Sequence, residues 1–475
     1  MFHNYDFAVK FGLLLTNITK LRLAPNEDVL QHIIKSRKIF LLLHFYHRRM
    51  GRDRETHTPG EWMKLDNAAK IYPAITGSEL TGVFRISIFL TSPVILPALV
   101  RASEEASALF PFFSVELCKG FFWYYLEYNG NPPRVLADTG PRCQPFPRTM
   151  KGELVYRILV RGNSISVEFF HILTDGGGAI FFLKTLMNYY FLHAFGITEV
   201  PFPEAKDGPK PGSTDDLFAR HYGRGMPNPG VMARAWHLPY KLRPVPRFRV
   251  TVFEMPAENL AAIARDTGCT ITEYLASTLL FILQEIRLER GTGAPHIRVQ
   301  VPFDLRKRYD ANTLRNFSLF AMPSIDIRMG HYTFEEILRE VKITMQMMTD
   351  EKRIRQIISR NVSGEKNALI RIIPLFIKSP VLRFLYNRFG PSQFTTIITN
   401  MGRVVPAGPA AEMMQAMSVT PPPPHHEIKI IGGLITLGRN TIITFGSLTD
   451  NTELESRFVK RLTTAGLSVK LLANE

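Results

Sequence analysis

The chain has 475 residues, of which 45% are hydrophobic and 21% are charged. This composition excludes a disordered or low-complexity protein, and the length predicts two domains. The formal net charge of +16 favours an anionic partner, such as nucleic acid, an acidic lipid surface, a phosphorylated cofactor or an acidic carrier protein. Because such a charge also keeps a protein soluble without any partner, it does not choose among these classes.

Residues 1–55 differ from the rest of the chain, because they combine ten Lys and Arg with five Asp and Glu and show no strand alternation. Val29–Tyr46 fits a basic amphipathic helix for membrane or partner binding, although we favour an extension with little structure. The apolar run Ile39–Tyr46 is too short to span a membrane and lies too far along the chain for an ordinary signal peptide. With only three cysteines and no C-x-x-C spacing, these features predict a cytoplasmic protein.

Regular structure is predicted from Trp62 onward, and the first half mixes strands with helices. Its main predicted elements are a strand, a helix that begins at a proline, a hairpin and a second helix: Val83–Leu90, the helix from Pro93, Leu154–Val160 with Ser164–Phe170, and about Gly178–Ala194 with one apolar face. Residues 201–230 hold six prolines and five glycines, which indicates a linker. We therefore predict an N-terminal domain over residues 56–215 and a C-terminal domain over residues 216–475.

The second half repeats the mixed pattern. Capping boxes begin two predicted helices, at Thr270–Glu273 and at Thr333–Glu336. Ile297–Pro302 predicts a half-buried strand that ends at its proline. The remaining predicted elements are two short helices broken at Pro374 and Pro380, a strand, a hairpin and a final helix: Ala368–Tyr386, Phe394–Thr399, Ile428–Leu437 with Thr441–Phe445, and Glu453–Thr464. Each half is therefore expected to be an α/β or α+β layer structure.

The segment FHILTDGGG, residues 170–178, carries the strongest chemical signal. A predicted strand ends at His171, Asp175 follows four residues later, and three glycines lead into a helix. Histidine suits general-base work because its pKa lies near neutrality, and glycines let a substrate approach the backbone. A core histidine beside a tight turn explains the same pattern without any catalysis.

Other chemistries have less support. The sequence has no P-loop pattern and no G-x-S-x-G element. His171 and Asp175 lack a third ligand at metal spacing, and His425-His426-Glu427 lies in a proline-rich turn, so no metal site is predicted. No nucleic-acid-binding motif accompanies the basic charge, so no nucleic-acid partner is predicted.

FHILTDGGG resembles the H-x-x-x-D-G motif of the superfamily of acyl-CoA-dependent acyltransferases and condensation domains. The likeness is closest to stand-alone bacterial proteins called alcohol acetyltransferase-like, and it covers about residues 60–470. Four further segments match in order: Trp62–Pro73 (WMKLDNAAKIYP), Val301–Phe317 (VPFDLRKRYDANTLRNF), Thr399–Val404 (TNMGRV), and the closing hairpin with the helix after it. The resemblance implies two chloramphenicol-acetyltransferase-like domains in a V, with the active-site tunnel between them.

The resemblance also implies catalytic roles. His171 would take the proton from the acceptor hydroxyl or amine as that group attacks the acyl thioester, with no covalent enzyme intermediate. Asp175 would hold the motif loop through an ion pair with an arginine. Arg306 is the first candidate for that partner, and Arg308 is the second.

Further residues receive looser roles from the same resemblance. Gly176 would leave room for the thioester, and Thr399 and Asn400 would lie beside the tunnel and support the oxyanion. Coenzyme A carries phosphates, and the candidates for binding them on the second domain are Lys307, Arg308 and Arg315, although ordinary solvated charge explains these residues equally well. Two departures are mild: Phe170 replaces the first histidine of many relatives, and Met401 replaces a leucine. The plant-type D-F-G-W-G element is absent.

Three functions stay open at this point. The first is transfer of an acyl group from acyl-CoA to an alcohol, which forms an ester. The second is a condensation-type reaction whose acyl donor is a separate acyl carrier protein and whose acceptor can be an amine. The third is a catalytically degenerate relative that binds a ligand or a lipid surface, which the basic apolar stretch Ala368–Arg388 would suit as a peripheral membrane contact. A monomer without a permanently bound cofactor is expected, because two domains in one chain can complete the site.

Overall fold

The computed structural model describes residues 61–147, 151–227, 230 and 232–474. The predicted extension over residues 1–55 lies outside this range. The strands are β1 (Trp62–Lys64), β2 (Val83–Leu90), β3 (Val115–Lys119), β4 (Tyr124–Tyr128), β5 (Val135–Ala137), β6 (Tyr156–Arg161), β7 (Ser164–Phe170), β8 (Arg249–Pro256), β9 (His296–Asp304), β10 (Ser318–Ala321), β11 (Ser324–Asp326), β12 (Thr396–Val404), β13 (Met414–Thr420), β14 (Ile430–Leu437), β15 (Asn440–Ser447) and β16 (Lys470–Asn474). The α-helices are α1 (Tyr72–Ile75), α2 (Leu96–Ala108), α3 (Gly176–Phe195), α4 (Leu217–Arg220), α5 (Ala257–Asp266), α6 (Ile271–Arg290), α7 (Phe334–Met348), α8 (Glu351–Lys366), α9 (Ala368–Ile372), α10 (Leu375–Phe389) and α11 (Glu453–Thr464).

A five-stranded sheet organises the first half, in the order β13-β2-β7-β6-β5. The hairpin of β6 and β7 forms as predicted, and α2 and α3 share one hydrophobic core with this sheet. Every residue of β7 is buried, because both faces of this central strand are covered. The predicted single apolar face of α3 was too narrow, since Phe182 and Leu186 are buried as well as Leu183 and Met187.

Strand β13 comes from the second half of the chain but completes the sheet of the first half. It pairs antiparallel with β2, with Ser418 opposite Ser87. The sequence analysis did not predict this strand. Its place in the sheet ties the two halves together through backbone hydrogen bonds as well as side-chain packing.

The second half contains an eight-stranded mixed sheet in the order β10-β9-β12-β14-β15-β8-β16, with β11 also paired to β9. β12 runs parallel to both of its neighbours, β9 and β14. Helices α5, α6, α7 and α11 contribute to the second hydrophobic core, beside this sheet. The capping boxes predicted for α6 and α7 are both formed, at Thr270 and Thr333.

Three proline predictions need correction. Helix α2 begins at Leu96 rather than at Pro93, with Pro97 in its first turn. β9 continues through Pro302 to Asp304. Its pairing with β12 ends at Gln300, so the missing N–H of Pro302 interrupts no hydrogen bond between β9 and β12. β9 is also more buried than predicted, since its polar Arg298 and Gln300 are inside.

The third proline prediction concerns the segment after α8. Pro374 separates α9 from α10 as predicted, but Pro380 lies inside α10 without ending it. The burial of Leu385 and Tyr386 holds the helix beyond this proline. Among the described residues, no helix is both long enough and apolar enough to cross a bilayer.

Candidate active site

His171 lies directly after β7, at the edge of the first sheet. Its backbone N–H donates to the Gly82 carbonyl at 2.9 Å, and its side chain is half-buried. The imidazole stacks nearly parallel on Tyr72, with ring centroids 5.2 Å apart and planes 9° apart, and it contacts Phe84 at a centroid distance of 4.9 Å. These two aromatic rings fix the plane of the imidazole.

Asn316, from the second half of the chain, determines which imidazole nitrogen carries the proton. Its Nδ2 donates to Asp66 Oδ2 at 2.9 Å and to the His171 carbonyl at 3.0 Å, so both amide hydrogens are used. Its Oδ1 therefore faces His171 Nδ1, 3.0 Å away, and can only accept. The network thus assigns the proton to Nδ1 and leaves an unprotonated Nε2, to which no described residue makes a hydrogen bond.

Asp66 holds Asn316 in this orientation. Its Oδ2 also accepts the Asn316 backbone N–H at 3.3 Å, and its Oδ1 accepts the Ala69 N–H at 2.8 Å. Arg315 Nε lies 3.8 Å from Asp66 Oδ2. Burial raises the pKa of Asp66 from 3.8 to about 6, against the opposing effects of Arg315 and Asn316. Arg315 is therefore a buried partner of Asp66, and its prediction as a phosphate-binding residue was wrong. The other two candidates for binding phosphate, Lys307 and Arg308, are exposed.

Asp175 is buried and accepts hydrogen bonds from both sides of the interface between the halves. As the N-cap of α3, its Oδ1 accepts from the N–H groups of Gly177 and Gly178 at 3.1 and 3.3 Å. Its Oδ2 accepts from the Phe317 N–H at 3.0 Å and from the Ser318 hydroxyl at 2.8 Å. Both carboxylate oxygens are thus engaged by donors of the two loops, and no hydrogen bond joins them to the His171 side chain among the described residues.

Arg306 forms the ion pair that the resemblance implied for Asp175, with Nη2 2.7 Å from Oδ1. The same guanidinium donates to the Thr313 carbonyl at 2.6 Å, to the Arg315 carbonyl at 2.7 Å and to Asp304 at 2.9 Å. Burial alone raises the pKa of Asp175, but Arg306 and the hydrogen-bond donors outweigh it and hold that pKa below 3.8. Asp175 is therefore ionised at neutral pH.

One loop, residues 313–318, connects all of these groups. Its Asn316 binds His171, and its Phe317 and Ser318 bind Asp175. Its Leu314 carbonyl accepts a hydrogen bond from the Thr174 hydroxyl at 2.6 Å. The same carbonyl approaches Gly178 so closely that a Cβ there would overlap it. The third glycine of the motif is therefore required by close packing of the loop against α3.

The strand segment TNMG reaches the motif from the other half. A β-bulge between Asn400 and Arg403 interrupts the pairing of β12 with β14. Met401 packs against Gly176, where a Cβ would overlap its Cε, so the space expected for a thioester at Gly176 holds a flexible methionine. Asn400 Nδ2 donates to Thr272 at 3.0 Å, and its Oδ1 accepts from Gly402 N at 2.8 Å. Among the described residues, the Thr399 hydroxyl has one hydrogen-bond partner, the Met401 sulfur at 3.9 Å.

Burial lowers the pKa of His171 below its ordinary value of 6.5. The imidazole is therefore neutral at neutral pH, which is the form that a general base needs. Among the described residues no cluster of three His, Cys, Asp or Glu side chains has the arrangement of metal ligands.

Asn316, Asp66 and Tyr72 were not predicted from the sequence as members of the site. All three lie inside segments that carry the resemblance, Trp62–Pro73 and Val301–Phe317. No local spacing distinguishes them, because their roles arise only when the two halves meet. Their membership of the matched segments was the only available signal.

The comparisons with known proteins bear on the fold. No family model matches the sequence, and no curated protein matches it. The solved structure of F. graminearum TRI101 with coenzyme A and deoxynivalenol aligns with a TM-score of 0.56 at 12% identity, over 85% of this chain and 97% of that one. The trichothecene 15-O-acetyltransferase TRI3 of Fusarium sporotrichioides aligns with a TM-score of 0.53 at 10% identity, over 87% and 99%.

A condensation domain aligns equally well. The first condensation domain of the calcium-dependent antibiotic synthetase has a TM-score of 0.55 at 16% identity, over 88% of this chain and 100% of that domain. The chain therefore has the chloramphenicol-acetyltransferase-like fold shared by CoA-dependent acyltransferases and condensation domains. This confirms, at the level of fold, both the resemblance and the fold class predicted from the sequence.

Proposed function

We propose that this protein is an acyltransferase that moves an acyl group from acyl-CoA to an alcohol, with His171 as the general base. The observation that carries the proposal is the network that places the proton on His171 Nδ1 and leaves Nε2 available. A histidine that served only the core would have a partner for each of its ring nitrogens, whereas Nε2 of His171 has no hydrogen bond to any described residue.

The reaction needs a single proton acceptor. The acceptor hydroxyl gives its proton to Nε2 as its oxygen attacks the thioester carbonyl, which forms a tetrahedral oxyanion. The oxyanion then collapses, the carbon–sulfur bond breaks, and the imidazolium returns the proton to the leaving CoA thiolate. The products are an ester and CoA with a free thiol, and no covalent enzyme intermediate is needed.

Of the two oxyanion donors that the resemblance implied, we favour Thr399. Asn400 already uses its amide on Thr272 and Gly402, whereas the Thr399 hydroxyl has, among the described residues, one long hydrogen bond to a thioether sulfur. Exchanging that weak contact for an oxyanion would cost little. Lys307 and Arg308 are the exposed cations that we propose for the phosphates of CoA.

The similarity to TRI101, whose structure was solved with coenzyme A, supports a CoA donor. The condensation-domain similarity supports a second candidate of the same chemistry, in which an acyl carrier protein delivers the acyl group and the acceptor can be an amine. We propose a monomer, since one chain supplies both His171 and Asn316. We also propose a cytoplasmic location, in keeping with the three free cysteines.

The test is product formation with a panel of short, medium and long acyl-CoAs and a panel of alcohols and amines. Mass spectrometry of the ester or amide is preferable to a thiol reagent, because it identifies the acylated product itself. We expect product that requires the acceptor and disappears in His171→Ala. Product that persists in His171→Ala would refute His171 as the base.

If no acyl-CoA gives a product, the same acyl groups are tested in a second round on an acyl carrier protein. Product in that round would establish the carrier-dependent reaction. Silence in both rounds, with a folded protein, would refute the transferase proposal and favour a relative that only binds its ligand.

A further inference from the structure

Helices α9 and α10 and the neighbouring Phe121 expose several large apolar side chains. We call this part of the surface the basic–aromatic face. Its apolar members, which are between 48% and 66% exposed, are Phe121, Leu369, Ile372, Phe376, Ile377 and Phe384. Single exposed apolar residues are ordinary, but a contiguous group marks an interaction site.

The spacing of these residues places them on the side away from the core. Leu369 and Ile372 are three apart on α9, and Phe376 and Phe384 are eight apart on α10, which in each case is one helix face. The opposite sides of the two helices are buried, since Ile370 and Leu385 form a small hydrophobic cluster with Trp123 packed against it. Phe121 is also exposed and lies beside the start of α10, because its carbonyl accepts the Leu375 N–H at 2.7 Å.

The base of this face is firmly held. Lys378 is buried, and its ammonium donates to the Phe122 carbonyl at 3.0 Å and lies 3.4 Å from the centre of the Trp123 ring. Arg383 donates to the carbonyls of Ala74 and Thr76 at 3.1 and 2.8 Å, at the end of α1. The exposed apolar side chains therefore stand on a fixed support that also braces the helix carrying Tyr72.

The charge of this segment has a single sign. Residues 366–390 contain five Lys and Arg and no Asp or Glu. Four of the five are exposed: Lys366, Arg371, Arg383 and Arg388. The segment thus combines exposed aromatic and aliphatic side chains with cations, and residues 366–390 contain no carboxylate that would repel an anionic surface.

We propose that the basic–aromatic face docks on an anionic lipid bilayer. The apolar side chains enter the interface between headgroups and acyl chains, while the cations bind the lipid phosphates and carboxylates. The uniform positive charge argues for a bilayer with acidic lipids over a neutral apolar partner. The six exposed apolar side chains among these cations suit an interface that offers acyl chains beside anionic headgroups.

The test is sedimentation of the full chain with vesicles of phosphatidylcholine alone and of phosphatidylcholine with phosphatidylserine. We expect binding to the anionic vesicles that weakens as salt is added. Phe376→Ser with Phe384→Ser should reduce the partition coefficient at least tenfold. The matched control is Met329→Ser with Met347→Ser, which removes two exposed methionines elsewhere and should leave binding unchanged.

A charge variant separates the two contributions. Arg371→Glu with Arg388→Glu should reduce binding to anionic vesicles and leave the small partition into neutral vesicles unaltered. Equal thermal unfolding temperatures of all variants and the parent would show that the fold is intact. The proposal is overturned if the parent does not sediment with anionic vesicles or if it binds only a soluble acidic carrier protein. It is also overturned if the Phe376→Ser/Phe384→Ser variant binds vesicles as the parent does, because the binding site would then lie elsewhere.

Discussion

Asn316 Oδ1 lies 3.0 Å from His171 Nδ1, and this hydrogen bond joins the two halves of the chain at the imidazole. Asn316 is itself held by Asp66, which lies near the start of the described chain. The orientation of the base therefore depends on three separate segments that meet in the folded protein. Side chains fixed in this way cost little reorganisation when a substrate arrives.

The first prediction concerns Asn316→Ala. This change leaves Nδ1 without its acceptor, so both imidazole tautomers become populated and the ring loses a restraint. We expect kcat to fall by about 10²-fold, within the range that general-base catalysis contributes, with little change in KM. Steady-state kinetics with the best acyl-CoA and acceptor will measure both parameters.

Two companion variants make that experiment specific. Ser318→Ala removes a hydrogen bond to Asp175 from the same loop without touching His171, and should lower stability by about 1 kcal/mol while kcat stays near the parent value. Asn316→Asp keeps an acceptor for Nδ1 but removes both amide donors and places a second carboxyl group against Asp66 Oδ2, so it should lose stability and activity as well. Equal losses of kcat in Ser318→Ala and Asn316→Ala would mean that loop disorder, and not the tautomer, is responsible.

The second prediction is the pH dependence of kcat/KM. Burial lowers the pKa of His171, so the protonated, inactive form appears only below the ordinary value of 6.5. We therefore expect kcat/KM to stay level as the pH falls through 6.5 and to drop further down. Because Asp66 has a pKa of about 6, any inflection there should be checked in Asp66→Asn before it is assigned. Half-maximal activity at or above pH 6.5 that titrates with His171 would contradict the prediction.

The third prediction compares two glycines of the motif. A Cβ at Gly178 would meet the Leu314 backbone carbonyl, which cannot move without displacing the loop, whereas a Cβ at Gly176 would meet only the flexible end of Met401. Gly178→Ala should therefore destabilise the protein by about 2 kcal/mol or more and reduce activity strongly, and Gly176→Ala should cost less.

Met401→Ala provides the matching test of this reasoning. Added to Gly176→Ala, it removes the overlapping side chain and should recover most of the lost stability, but it should do nothing for Gly178→Ala. Chemical denaturation and activity measurements on the four variants will decide. A larger loss from Gly176→Ala than from Gly178→Ala would show that the loop yields more readily than the methionine.

The sequence was most informative where structure is decided locally. β7, α11 and the two capping boxes were predicted because their signals lie within a few neighbouring residues. β13 escaped prediction because its partner β2 lies more than 300 residues away, and Met414–Thr420 has no distinct alternation. Asn316 escaped for the same reason, since 145 residues separate it from His171 and only the folded chain brings them together.

The last prediction tests the buried carboxylate that supports this arrangement. Burial raises the pKa of Asp66 from 3.8 to about 6, so the folded state binds the proton more tightly than the unfolded state does. As the pH rises from 3.8 to about 6, the folded protein loses stability from this group, by at most roughly 3 kcal/mol. Asp66→Asn cannot ionise and escapes this loss, although it forfeits part of the hydrogen bonding. The unfolding temperature of Asp66→Asn relative to the parent should therefore increase across that pH interval and level off above it. Thermal unfolding at a series of pH values will measure this difference, with the exposed Asp266→Asn as the control. A difference in unfolding temperature that does not vary with pH would show that Asp66 carries its charge in the folded protein without penalty.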